Sequence, residues 1–99
     1  MVCALRSEAR CLGRTFATDA SSPERLADGT LLAVTGMGPA AAAAGARRLC
    51  QAGAQGLLSW GMAGGLDPAL RPGTLLLPVA VLTTEGSEFA TTPQWRAQL

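Results

Sequence analysis

Residues 31–65 constrain the fold of this chain most, because they contain two apolar runs that each end in glycine. The first run, Leu31 to Val34, is short, lacks helical spacing and gives way to Gly36 and Gly38, which favours a buried strand. The second run, residues 56–60, also leads into glycine and predicts a second strand. The segment therefore predicts a strand–helix–strand unit with an open glycine loop after each strand.

The stretch between these strands is typical of a helix that packs on a sheet. Pro39 suits the first helical position, and the alanines after it have the highest helix propensity. The pattern predicts a helix from about Pro39 to Gln51, near residues 39–52, that ends at Gly53 in a left-handed conformation. A stripe of small residues predicts close packing of this helix on the sheet: Ala42, Gly45, Ala46, Leu49 and Gly53.

Both glycine loops are expected at one edge of the sheet. Ligands of α/β proteins bind in the crevice outside the carboxyl ends of parallel strands. Glycine also lets the backbone approach a ligand closely, although the same residues are used where a chain only turns. Two such loops at one edge favour a binding site over simple turns.

Two further apolar stretches extend the predicted sheet. Residues 1–5 suit a central strand, and residues 74–82 predict a third buried strand with Pro78 at a bulge or an edge. The connection before residue 74 is too short for a crossover helix, so this strand pairs antiparallel or enters from another part of the sheet. The prediction is an α/β fold with a mainly parallel or mixed central sheet and strands near residues 1–5, 30–35, 56–60 and 74–82.

The connecting segments contain turn and cap residues. Residues 19–29 include Ser-Pro and Asp-Gly, and they predict a loop or a loose hairpin connection. Residues 91–99 begin like a capped helix, with Pro93 near its first position, and stop after two turns. A helix that stops there suggests an incomplete chain.

A charged cluster directly follows the first predicted strand. Ser7 is a candidate cap for a short helix, and Glu8 lies just beyond the strand end. One interpretation makes Glu8 a solvated first-turn glutamate that the helix dipole favours. The other makes it functional, because it is expected beside the same sheet edge as the glycine loops.

The composition excludes several classes of function. Lys and Arg together number 8 against 7 Asp and Glu, and all 8 are arginines spread along the chain, so no basic stripe for nucleic acid is present. The sequence contains no lysine, histidine or tyrosine, which excludes Schiff-base chemistry, histidine general-base chemistry and a histidine metal site. Chemistry in this chain therefore depends on carboxylates, arginines, hydroxyls, thiols or backbone groups.

The cysteines and the amino terminus indicate a soluble cytoplasmic protein. Cys3, Cys11 and Cys50 are odd in number and lack CxxC spacing, so they are interpreted as buried free thiols in a reducing cytosol. Arg6 and Glu8 interrupt the first apolar stretch, which argues against a secretory signal. No apolar run approaches the length of a membrane span.

Residues 36–41, Gly-Met-Gly-Pro-Ala-Ala, approximate the dinucleotide-binding fingerprint with alanine at the third glycine position. That fingerprint predicts an acidic residue at the end of the next strand, whereas residues 56–62 contain none. A Walker-type phosphate loop is excluded because the chain has no Gly-Lys-Ser/Thr sequence. A non-catalytic nucleotide- or dinucleotide-binding module is the alternative to an enzyme.

Three motifs in order resemble a known family: Ala4-Leu5-x-x-Glu8, Thr35-Gly36-Met37-Gly38-x-Ala40-Ala41-Ala42 and Gly61-x-Ala63-Gly64-Gly65-Leu66-x-Pro68-x-Leu70-x-x-Gly73. They are similar to the amino-terminal half of the nucleoside phosphorylase and nucleosidase superfamily. That superfamily includes purine nucleoside phosphorylases and methylthioadenosine/S-adenosylhomocysteine nucleosidases. Residues 59–68 most resemble the hopanoid-associated phosphorylases of bacteria.

The resemblance implies a three-layer α/β sandwich that cleaves a purine, adenosine-like nucleoside with phosphate or water, without a cofactor or a metal. Glu8 matches the glutamate with which nucleosidases activate water, where bacterial hexameric phosphorylases have a phosphate-binding arginine. Met37 and Gly38 match the loop near the 5′ substituent of the sugar. The loop that lines the nucleophile and ribose pocket is matched by Met62, Ala63 and Gly64.

The chain departs from the family pattern in three respects. Met62 replaces a serine that holds phosphate or the nucleophilic water in many relatives, and Thr74 replaces a common aspartate. The ribose-binding glutamate and the purine-protonating aspartate of the family belong to a carboxyl-terminal half that is missing here. The resemblance therefore implies that residues 1–99 are the amino-terminal part of one domain, inactive alone and homo-oligomeric in its intact form.

Overall fold

A computed structural model describes residues 1–12 and 22–98 of the chain. These residues form two compact units, Met1–Ala63 and Gly64–Leu99. Residues 19–21 of the predicted connection lie outside the described part of the chain.

The first unit contains a small mixed sheet. Its strands are β1 (Val2–Cys3), β2 (Glu24–Arg25) and β3 (Leu31–Val34), in the spatial order β1-β3-β2. β3 is parallel to β1 and antiparallel to β2, so the mixed α/β character predicted for the chain is confirmed. Of the two alternatives for residues 19–29, a loop or a loose hairpin connection, the described residues 22–29 form the hairpin, because β2 pairs antiparallel with β3 across the turn at residues 27–29.

The free edge of β1 pairs with the segment that follows the main helix. The Val2 N–H donates to the Leu58 carbonyl at 2.8 Å, and the Trp60 N–H donates to the Val2 carbonyl at 2.8 Å. This segment forms a single parallel bridge, at Ser59, so β1 is central as predicted. The prediction of a regular strand over residues 56–60 is wrong, because this segment pairs with β1 through the single bridge at Ser59 and forms no longer ladder.

The main helix, α2 (Pro39–Gln51), has the predicted bounds and begins with proline at its first turn. Gly53 follows its end with φ +94°. The Gly53 N–H donates to the Cys50 carbonyl and the Ala54 N–H to the Leu49 carbonyl, both at 3.0 Å. This pair of bonds is the Schellman arrangement, which requires a left-handed residue at the position of Gly53.

Small residues allow α2 to lie close to β3. Gly45 and Leu49 are buried, and a Cβ added at Gly45 would lie 2.1 Å from Cγ2 of Thr35. Ala42 is exposed, so the packed stripe is shorter than predicted, because β3 spans only four residues and offers little surface.

One buried cluster in the core of the first unit consists of Cys3, Ala9 and Leu32, and Ala33 and Leu49 are buried as well. Partly buried side chains surround this core: Met1, Leu12, Leu26, Val34 and Trp60. Cys3, Cys11 and Cys50 are free thiols, but the prediction that all three are buried is wrong. Cys11 directly follows the first helix, α1 (Arg6–Arg10), and Cys50 lies in the last turn of α2. Both side chains are exposed at these helix ends.

The second unit contains a hairpin and a short helix. Its elements are β4 (Ala80–Leu82), β5 (Glu88–Ala90) and the third helix α3 (Pro93–Arg96). β4 and β5 pair antiparallel, and Pro93 begins α3 after Thr92, as predicted.

The prediction of a buried strand over residues 74–82 is wrong. Only residues 80–82 form a strand, and their side chains are half-buried or exposed. The reason is the turn that follows, in which the Gly86 N–H donates to the Thr83 carbonyl at 3.0 Å and Gly86 has φ +84°. This turn folds the chain back on itself, so the strand pairs within its own unit. Pro78 precedes the strand rather than forming a bulge within it.

None of the helices within the described residues combines the length and apolar character needed to cross a bilayer.

Candidate functional site

Three loops meet at one edge of the first unit. They follow β1, β3 and the bridge at Ser59, which run parallel to one another, so all three begin at carboxyl ends. The Gly36 N–H donates to the Ala4 carbonyl at 3.0 Å, and this bond joins the first two loops. The Met62 N–H donates to Oε1 of Glu8 at 3.1 Å, and this bond joins the first and third loops. The predicted placement of the two glycine loops at one edge of the sheet is therefore confirmed.

Glu8 is the central residue of this edge. It lies in the first turn of α1 (Arg6–Arg10), and its side chain is only 6% exposed. Its Oε2 accepts hydrogen bonds from the N–H groups of Ala4 at 3.1 Å and Leu5 at 2.9 Å. The interpretation of Glu8 as a first-turn residue is confirmed, but the interpretation that it is solvated is wrong. The carboxylate turns back over the start of its helix and becomes buried against backbone.

Ser7 is not the cap of this helix, contrary to the prediction. The helix begins at Arg6, and Leu5 is the residue that precedes it. Glu8 satisfies the N–H of Leu5, which is how a glutamate at the third helical position satisfies a helix start.

Backbone donors determine the ionisation of Glu8. The N–H groups of Met62 and Leu5 lower the pKa of its carboxyl below the ordinary value of 4.5, burial opposes this, and the Ala4 N–H lowers it further. Hydrogen bonds to the charged form favour that form. Glu8 is therefore an anion at neutral pH.

The start of the third loop, at Trp60 and Gly61, lies close to Glu8. A Cβ added at Gly61 would lie 3.0 Å from Oε1 and 3.3 Å from Cδ of Glu8. The indole N–H of Trp60 donates to the main-chain carbonyl of Glu8 at 3.0 Å. Sequence reasoning did not identify Trp60, because its partner is 52 positions away and nothing in the local pattern links them.

The glycine loop after β3 presents an open surface. Gly36 and Gly38 have φ of +82° and +99°, and nothing lies within 4 Å of a Cβ added at either. Met37 between them is 79% exposed. Thr35 fixes the start of this loop, since its hydroxyl lies 2.9 Å from the Gly36 carbonyl and 3.3 Å from the Cys3 carbonyl.

The structure brings together most of the predicted site residues. Glu8 and Met62 are joined by a hydrogen bond, and Ala63 follows Met62 as the last residue of the first unit. Met37 and Gly38 lie on the loop after β3, at the same edge of the sheet. Gly64 begins the second unit. Within residues 1–12 and 22–98, no three Cys, Asp or Glu side chains cluster closely enough to hold a metal ion.

A family model described as the Phosphorylase superfamily matches residues 25–96, which is more than half of the chain. The chain belongs to the phosphorylase superfamily. Membership indicates nucleoside phosphorylase or nucleosidase chemistry in general, with nucleosides and phosphate as the substrate classes. The matched region includes both glycine loops, whereas Glu8 precedes it. No curated protein and no solved structure matches the chain.

Proposed function

We propose that this superfamily member contributes the nucleophile side of a site that cleaves the N-glycosidic bond of a purine, adenosine-like nucleoside, with Glu8 as the group that activates water. The observation that carries the proposal is a buried, ionised carboxylate at the sheet edge where both glycine loops begin. Superfamily membership supports the reaction class.

The hydrogen bonds of Glu8 indicate which of its atoms accepts the proton. A carboxylate offers about four lone-pair positions. Backbone N–H groups use three of them, two on Oε2 and one on Oε1. Oε1 therefore keeps the capacity to accept a hydrogen bond from water. In the proposed reaction, water gives a proton to Oε1 as its oxygen bonds to C1′ of the sugar. The C1′–N bond breaks with its electron pair passing to the purine, which the acid of the proposed carboxyl-terminal half protonates.

The same geometry favours water over phosphate as the nucleophile. The Met62 N–H is engaged by Glu8, and the Met62 side chain has no hydroxyl to offer a phosphate oxygen. A phosphate dianion beside the Glu8 carboxylate also meets a repulsion that increases as water is excluded. Phosphorolysis is the second candidate, and the resemblance of residues 59–68 to hopanoid-associated phosphorylases favours it.

The proposal extends to the architecture of the intact enzyme. We place residues 1–99 in the amino-terminal part of a three-layer sandwich, whose carboxyl-terminal half supplies the ribose-binding glutamate and the acid that protonates the purine. Exposed apolar side chains in the second unit support additional packing in the intact enzyme, since Leu75, Leu82 and Phe89 are each more than half exposed. The intact enzyme is proposed to be a cytoplasmic homo-oligomer, and the 99-residue chain alone to be inactive.

The first test reads the gene beyond the codon for Leu99. The enzyme proposal expects a further half that contains both carboxylates, and a continuation without them contradicts it. In the resulting full-length enzyme, Glu8→Gln is expected to lower the hydrolytic rate by about two to four orders of magnitude, the usual contribution of a general base. Glu85→Gln is the matched control, because Glu85 is an exposed residue in the hairpin turn. Unchanged turnover in Glu8→Gln, with a strict requirement for phosphate, contradicts the water-activating role.

The second test uses calorimetric titration of the 99-residue chain with adenosine, adenine, inorganic phosphate and NADH in turn. Adenosine binding that Glu8→Gln alters supports a nucleoside site at this edge. Binding of NADH without binding of adenosine supports the dinucleotide-binding module instead.

A further inference from the structure

Trp60 connects the third loop to two different elements. Its backbone N–H donates to the Val2 carbonyl of β1 at 2.8 Å, and its indole N–H donates to the Glu8 carbonyl of α1 at 3.0 Å. The ring also packs partly buried against the cluster of Cys3, Ala9 and Leu32. A single residue thus relates the strand, the helix and the start of the loop.

Two residues of the third loop, Trp60 and Met62, each donate a hydrogen bond to Glu8. Its carbonyl accepts the indole N–H of Trp60, and its Oε1 accepts the N–H of Met62 at 3.1 Å. Gly61 lies between Trp60 and Met62 in the chain. A Cβ added at Gly61 would lie only 3.0 Å from Oε1 of Glu8, so only a hydrogen atom fits there without displacing a neighbour. Three consecutive residues are therefore fitted to one glutamate.

The order of these contacts along the chain gives Trp60 a particular role. The parallel pairing with β1 ends at Trp60, because its N–H makes the last backbone bond of the bridge. The indole is the next attachment, and the Met62 N–H is the one after it. Without the indole bond, the backbone bond of Trp60 to Val2 would be the last attachment of the chain before the Met62 N–H.

We propose that Trp60 is a positioning residue, whose indole N–H fixes the loop Gly61–Ala63 at the distance where the Met62 N–H binds the carboxylate of Glu8. Its importance for catalysis rests on the function proposed for Glu8, but the positioning itself depends only on these contacts. The acceptor left behind by removal of the indole is not orphaned, since the Glu8 carbonyl also accepts the Cys11 N–H at 3.2 Å. Loss of the N–H should therefore change the loop without unfolding the unit.

The test is Trp60→Phe, which keeps an aromatic ring in the core and removes the N–H donor. Nuclear magnetic resonance follows the titration of the Glu8 carboxyl and the pH response of the Met62 amide. In the variant, the pKa of Glu8 is expected to rise toward its ordinary value, because the Met62 N–H is the largest cause that lowers it. Exchange of the Met62 amide is expected to become about two- to tenfold faster, the factor that one ordinary hydrogen bond represents.

Trp95→Phe is the matched control, since Trp95 lies in α3 of the second unit and is 43% exposed. It should leave both readouts unchanged. The Cys3 thiol, whose pKa is raised mainly by burial and also by the charge of Glu8, is followed in the same spectra.

A folded Trp60→Phe chain in which the Glu8 titration and the Met62 amide match the unmodified protein overturns the proposal. If that variant fails to fold, benzothienylalanine at position 60 replaces it, because this analogue has the shape of tryptophan without the N–H. The two proposals are separated if, in the parent enzyme, Trp60→Phe shifts the titration of Glu8 while Glu8→Gln leaves the enzyme fully active. Positioning would stand and the water-activating role would fail.

Discussion

Gly45→Ala tests the close approach of α2 to the sheet, which sets the position of the first glycine loop. The added Cβ would lie 2.1 Å from Cγ2 of Thr35 and 3.4 Å from Cβ of Thr35. The first distance is far inside van der Waals contact. The Thr35 side chain cannot simply turn away, because a β-branched side chain has restricted χ1 and its hydroxyl lies within hydrogen-bond distance of two carbonyls.

Two opposing effects determine the size of the change. Alanine in place of glycine within a helix stabilises by about 1 kcal/mol. Forcing a methyl group into a packed interface costs about 1–3 kcal/mol, and turning Thr35 to relieve it loses a hydrogen bond of about 1 kcal/mol. The clash and the lost hydrogen bond together exceed the propensity gain, so we expect Gly45→Ala to lower the free energy of unfolding by about 1–3 kcal/mol.

Thr35→Ser supplies the matched rescue, since it removes Cγ2 and keeps the hydroxyl. In that background the nearest atoms are the β-carbon at position 35, at 3.4 Å, and the β-carbon of Ala33, at 3.9 Å, so Gly45→Ala should become neutral or stabilising by up to about 1 kcal/mol. Urea unfolding followed by far-ultraviolet circular dichroism gives the four free energies of the cycle. Ala43→Gly, at an exposed position of α2, calibrates the helix propensity term. An increase in stability for Gly45→Ala with Thr35 intact would refute the close approach.

Two further predictions concern buried ionisable groups. Because backbone donors lower the folded-state pKa of Glu8 below its unfolded value of 4.5, the stabilisation it gives is complete above that pH and is lost as pH falls through the folded value. Glu8→Gln should therefore flatten the acid limb of a plot of urea midpoint against pH, and an unaltered slope contradicts the burial of the carboxylate. Cys3 is buried, with its thiol pKa raised mainly by that burial and then by the charge of Glu8. Cys11 and Cys50 should react with a thiol reagent in the folded chain and Cys3 only after unfolding, so equal rates for all three would contradict the core assignment.

The sequence was most informative where local rules act alone. The bounds of α2 follow from proline at its start, alanine in its body and glycine after its end, and each of these acts within one helical turn. The parallel pairing of β1 with β3 was predictable for a related reason. An apolar run before a glycine loop and a helix has few alternatives in an α/β chain.

Predictions failed where the partner of a segment decides its structure. Residues 74–82 have the composition of a buried strand, yet Leu75, Leu76 and Leu77 lie outside any strand and are exposed. Their apolar side chains identify a segment that gains from burial, but composition alone does not say which surface provides it. The turn at Gly86 instead pairs residues 80–82 with residues 88–90. Hydrophobic spacing does not reveal this pairing.

The contacts of Glu8 suit both the stability of the fold and the chemistry that we propose for it. Three N–H donors compensate the carboxylate for its burial and keep it ionised, and an ionised form is required of a group that takes a proton from water. The same donors make the carboxylate a weaker base, so its catalytic value depends on position rather than on proton affinity. In our proposal Gly61 and Trp60 determine that position, the first because a Cβ there would lie only 3.0 Å from Oε1 and the second because its indole N–H donates to the Glu8 carbonyl. Trp60→Phe should therefore alter the geometry of Glu8 while an aromatic ring still packs against the core.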